Sequence, residues 1–95
     1  MTKTIILNFL RAHKEELHEK FGLTKIGLFG SYARDTADEN SDIDLAIITE
    51  KKDFFIRDDL RDFLEENFNL PVDIGYLESF RDFYRSKIDK EIIYA

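Results

Sequence analysis

The chain has 95 residues, 43% hydrophobic and 14% aromatic, with nine Phe, four Gly and one Pro. That is material for one domain with one core over residues 1–95, and too little Gly and Pro for a linker-rich or disordered chain. Fourteen Lys and Arg against 20 Asp and Glu leave a formal net charge of −6, which disfavours general nucleic-acid binding because phosphate backbones reward clustered cations, and the lack of cysteine excludes disulfides and thiolate metal sites.

Residues 5–21 place Ile5, Ile6, Phe9, Leu10, Leu17 and Phe21 at helical spacing, and Gly22 is suited to stop that helix. Its apolar part is too short for a secretory leader, and no stretch is long enough to span a bilayer, so a cytoplasmic protein with no membrane association is expected. "KIGLFG" (25–30) is short, apolar and closed by glycine, as a strand is. "SYARDTADEN" (31–40) is polar and reads as a helical turn running into a loop.

"DIDLAIIT" (42–49) is the second strand. Asp53 is placed to cap a helix that buries Ile56, Leu60, Phe63 and Leu64, while the charges of "RDDLRDFLEEN" form its solvated face. "LPVDIGYL" (70–77) is the third strand, with Pro71 at its start, where a missing N–H does least harm. "SFRD" (79–82) fits a capping box for a last helix, and in "EIIYA" Ile92 is expected to pack back on the core. Phe54, Phe55, Phe80 and Phe83 read mostly as core. The sum is an α/β (α+β) fold: a small mixed three-stranded sheet with helices packed on it, the second and third strands being parallel neighbours joined by a helical crossover.

The second strand opens with two carboxylates. Asp42 and Asp44 share one strand face, roughly 6.6 Å apart, while Ile43, Leu45 and Ile47 point to the core. Two carboxylates so close repel each other unless a cation sits between them, and Mg²⁺ is a hard ion held by carboxylates together with substrate phosphates. Asp73, flanked by apolar Val72 and Ile74, can converge on them from the neighbouring strand. Three carboxylates suit a two-metal site, in which one ion activates the attacking oxygen and the other steadies the leaving group. Before the acidic strand, "GLFGSYAR" (27–34) runs from strand to Gly-Ser to helical turn, the form of a phosphate cradle. Gly30 permits close backbone approach, Ser31 offers a hydroxyl, and Arg34 adds a cation or ties down an acidic side chain.

"GLFGSYARDTADENSDIDLAII" resembles the signature of the polymerase β-type nucleotidyltransferases, and nearly the whole chain, through "PVDIGYL" and the "SKIDKEIIYA" ending, resembles the minimal, MntA-like nucleotidyltransferases. The resemblance implies that Gly30, Ser31 and Arg34 hold a triphosphate. It makes Asp42, Asp44 and Asp73 metal ligands, with Asp73 also the candidate general base. The expected cofactor is Mg²⁺, two ions, with ATP as substrate. Members of this group are antitoxins that place AMP on a tyrosine of a HEPN toxin partner. One departure stands out: the glycine usual after the motif arginine is Asp35 here, a residue type that tolerates unusual backbone angles.

The chain leaves no segment to build an acceptor pocket, so a partner protein is expected to present the acceptor. A binding-only antitoxin with a vestigial site, and half of a split small-molecule nucleotidyltransferase, are the alternatives. His13 and His18 lack further ligand residues and read as surface or core-edge positions. Tyr32, Tyr76, Tyr84 and Tyr94 read as core-edge, with Tyr32 near the nucleotide.

Overall fold

The computed structural model describes residues 1–50 and 53–95, the Phe54 side chain excepted. The elements are α1 (Lys3–Ala12), α2 (Lys14–Phe21), β1 (Leu23–Phe29), α3 (Gly30–Ala33), β2 (Ile43–Thr49), α4 (Phe54–Phe68), β3 (Val72–Tyr76), a 3₁₀ turn (Leu77–Ser79), α5 (Asp82–Glu91) and β4 (Ile93–Tyr94). The sheet runs β3-β2-β1-β4, with β2 and β3 parallel and β1 antiparallel to both β2 and β4. Among the described residues it therefore has four strands rather than the three expected. The fourth is a two-residue piece that brings the "EIIYA" ending onto the β1 edge, pairing Gly27 with Tyr94 and Leu28 with Ile93.

The first helix is two. His13 interrupts it at φ −104°, ψ 15°, ending α1 and starting α2. The His13 backbone N–H and its Nδ1 both bond the Phe9 carbonyl, at 3.0 and 2.9 Å, and its ring stacks on that of Phe9. The break lets Leu17 and the Ile6, Leu7 and Leu10 stripe reach one core from two axes, while Ile5, beside that stripe on α1, is 52% exposed. Gly22 ends α2 in the left-handed region at φ 66°, as its place in the sequence implied.

The core is split by the sheet. On one face α1, α2 and α4 bury Ile6, Leu10, Leu17, Leu60 and Leu64 against Ile26, Leu28, Ile43, Leu45, Ile47, Val72 and Ile74. On the other, α5 and the 3₁₀ turn cover Phe29 and Ala46 with Ile88 and Leu77, and Ile92 packs beside them as foreseen. Leu64 is fully buried, so Leu64→Ala costs about 2–5 kcal/mol, read as a lower urea midpoint at unchanged slope.

Asp53 caps α4 as expected, its carboxylate accepting from the Phe55 N–H at 2.9 Å. Most α4 charges face solvent, but Glu65 turns inward to accept from the Val72 N–H at 2.8 Å, seating the start of β3. The capping box does not form. The N-cap of α5 is Arg81, without a side-chain cap, because the 3₁₀ turn claims Ser79. Of the four phenylalanines read as core, Phe80 packs on Phe29 while Phe55 and Phe83 are exposed; the Phe54 side chain lies outside the described residues. No helix among the described residues is long and apolar enough to cross a membrane.

Candidate active site

Strand register brings Asp44 and Asp73 together. In the parallel β2/β3 pair Asp44 stands opposite Asp73, and the flanking pairs, Ile43 with Val72 and Leu45 with Ile74, all enter the core beneath α1, α2 and α4. Alternation then sends both carboxylates to the opposite face, the one α5 covers. Asp42 immediately precedes β2 and is exposed, Asp44 is half-buried, and Asp73 is exposed. The loop leading in is shaped by Ser41, whose hydroxyl accepts from the Asp38 N–H at 2.9 Å.

Asp44 is pushed up from 3.8 to about 6, first by burial, then by the charges of Asp73 and Asp42. Glu91 adds a smaller push, and Arg34 opposes. A half-buried carboxylate that two others also oppose is relieved by a cation. Among the described residues no three acidic or histidine side chains are gathered closely enough to hold a metal ion by themselves. The donors are all oxygen, and this open arrangement fits Mg²⁺, which is held by one or two carboxylates and completed by water and substrate phosphates rather than by an all-protein cage.

The glycine turn lies directly against this group. Gly30 is buried at φ 77°, and a Cβ there would collide with the Asp44 carboxylate, so only glycine satisfies both the backbone and the space. The Gly30 N–H donates to Glu91. Arg34 Nη1 donates to both Glu91 oxygens, at 3.0 and 2.9 Å. Arg34 thus ties down an acidic side chain, one of the two roles its position allowed. The Ser31 carbonyl accepts from the Thr36 N–H at 2.9 Å, and the Ser31 hydroxyl has no hydrogen bond among the described residues. Asp35 adopts the left-handed backbone at φ 60° that glycine would otherwise supply, and pairs with Lys3 at 2.9 Å.

A hollow of about 160 Å³ opens between Gly30, Arg34 and Asp44 on one side and Tyr84, Lys87 and Glu91 of α5 on the other. The α5 residues escaped the sequence reading, which took Tyr84 for a core-edge residue. Their 84, 87, 88, 91 spacing marks one helix face, but nothing local says which sheet face it covers. A larger hollow, about 480 Å³, lies between α2, β1 and β4 and has no carboxylate side chain among its lining residues. His13 caps α1 as described, and His18 Nε2 lies 2.6 Å from Glu50 Oε1 on the surface. Tyr32 is buried in the main core, and Tyr76 bonds the Asp53 carbonyl at 3.4 Å.

Residues 10–95 match the family of the nucleotidyltransferase domain. The chain is similar to the protein adenylyltransferase MntA of Thermococcus cleftensis, at 35% identity over 96 residues, covering 100% of this chain and 97% of that protein. Among solved structures, a minimal nucleotidyltransferase superposes with a TM-score of 0.73 at 30% identity, over 92% of this chain and 93% of that one. A chain of a toxin–antitoxin complex with AMP-PNP gives 0.71 at 26% identity, over 99% of this chain and 72% of that one. An acidic strand pair facing a glycine-serine turn, in a chain matched over almost its entire length, makes this protein a member of the nucleotidyltransferase domain family, an enzyme of the minimal, MntA-like kind.

Proposed function

We propose that residues 1–95 work as one domain that transfers AMP from ATP to a hydroxyl, a tyrosine in particular, of a HEPN toxin partner, and so acts as the antitoxin of a toxin–antitoxin pair in the cytoplasm, without binding nucleic acid. The observation that carries this reading is the register of Asp44 with Asp73 beside a glycine turn that packs on Asp44. A binding-only protein has no physical need to keep mutually repelling carboxylates at that point.

In the reaction the acceptor oxygen forms a bond to the α-phosphorus, the bond from that phosphorus to the β-phosphate bridge breaks, and pyrophosphate leaves. Asp73, the more exposed of the register pair, is the group that takes the acceptor's proton. Asp42, Asp44 and Asp73 would hold Mg²⁺, two ions, which supplies charge neutralisation at the phosphates when bound. Gly30 gives close backbone approach, the Ser31 hydroxyl donates to a phosphate oxygen, and Arg34 contributes positive charge. The similarity to an AMP-PNP complex supports ATP as the donor.

The test incubates the chain with the HEPN protein, ATP and Mg²⁺ and weighs the partner by mass spectrometry. Added AMP units that disappear with Asp44→Asn are the expected outcome. An unchanged partner mass, with toxin inhibition intact in Asp44→Asn, would instead establish neutralisation by occlusion.

A further inference from the structure

Glu91 closes α5, and its side chain is only 15% exposed. Nothing local favours a carboxylate there. The C-terminal end of a helix repels negative charge, and a buried carboxylate without partners is costly. Its place is set by two groups far back in the chain, the Arg34 guanidinium and the Gly30 N–H. Lys87, one turn earlier, is the partner that helix spacing would offer Glu91, yet the carboxylate turns away to the glycine turn instead.

The contact engages one end of Arg34. Only Nη1 meets Glu91, while Nη2 and Nε have no partner among the described residues. A guanidinium is a rigid plane, so holding one nitrogen aims the other donors. The same carboxylate pins the Gly30 backbone, whose position against Asp44 leaves no slack for a Cβ. One side chain therefore sets the direction of the arginine and the seat of the turn beside the acidic pair.

We propose that Glu91 is a positioning residue of the nucleotidyl-transfer site, orienting Arg34 and the Gly30 turn to receive the triphosphate. This rests on the assignment of Gly30, Ser31 and Arg34 to the triphosphate. Glu91→Gln keeps an acceptor for the Gly30 N–H but removes the charge facing Arg34. By calorimetric titration with ATP and Mg²⁺, the expected result is a dissociation constant raised about tenfold, with the melting temperature within a few degrees of wild type. In an Arg34→Ala background the same substitution changes ATP affinity little, because the two groups act as a unit. Glu91→Asp, which keeps the charge on a shorter arm, falls between, and it decides by the same criterion should Glu91→Gln fail to fold.

Affinity equal to or tighter than wild type in Glu91→Gln overturns the proposal, the tighter case marking Glu91 as a competitor of the phosphate. Effects of Glu91→Gln and Arg34→Ala that simply add overturn it too, since they mark a structural role. Absence of ATP binding by the wild-type chain itself removes the triphosphate assignment, and this inference with it.

Discussion

Asp44→Asn lowers the rate of AMP transfer by on the order of 10³-fold, while the metal-free variant melts higher than wild type at pH 7. The two effects share one cause. Asp44 titrates near 6 in the fold against an ordinary 3.8, because burial and then Asp73 and Asp42 oppose its charge. A pKa raised on folding means that the protonated group favours the fold. That contribution is whole below about 3.8 and is lost as the pH climbs through about 6.

Asn carries no charge to lose, so the variant's advantage is greatest at neutral pH and shrinks towards pH 4. Full conversion of the shift would give about 3 kcal/mol, and solvent screening of a half-exposed group reduces it to roughly 1–2 kcal/mol. In a chain of this size that is a rise of about 4–16 °C. Thermal melts of both proteins in EDTA across pH 4–8 check it. A wild-type chain as stable as Asp44→Asn at pH 7 would mean that neither burial nor the neighbouring carboxylates oppose the Asp44 charge.

Gly30→Ala is the second large effect, and it acts on fold and chemistry together. The left-handed φ of 77° costs an alanine roughly 1–2 kcal/mol, and its Cβ would strike the Asp44 carboxylate. The carboxylate must swing away, so AMP transfer falls nearly as far as in Asp44→Asn. Two comparisons separate the components in thermal melts. Gly22→Ala, at φ 66° with only Glu50 atoms 3.9 Å away, shows the backbone cost alone. In an Asp44→Ala background the collision with the carboxylate is gone, and the Gly30→Ala penalty drops towards the Gly22→Ala value.

The strands, α4 and the acidic pair were legible in the sequence because each depends on short-range alternation. Ile43, Leu45, Val72 and Ile74 declare a buried face, and that obliges Asp44 and Asp73 to the other. Glycine at 22 and 30, and Asp35 standing in for glycine, likewise reveal backbone geometry that few residues accept. What escaped depends on contacts between distant segments. β4 is two residues long and has no periodicity to detect, existing only because β1 offers an edge. The His13 break leaves apolar residues on both sides at helical spacing, so the spacing reads straight through it. Nothing local singles out Glu91 at the head of "EIIYA", and only its reach across 57 residues to Arg34 distinguishes it. Phe55 and Phe83 are apolar yet exposed, which composition alone cannot reveal.

The pairing of β2 with β3 also proofreads itself. Were β3 to slide one residue along its neighbour, Asp73 would be thrust into hydrocarbon while Val72 and Ile74 met water, an arrangement far too unfavourable to persist. A molecule that has folded to this pairing has thereby already set Asp44 beside Asp73, so bringing the proposed catalytic acids together demands no separate step after the chain finds its shape.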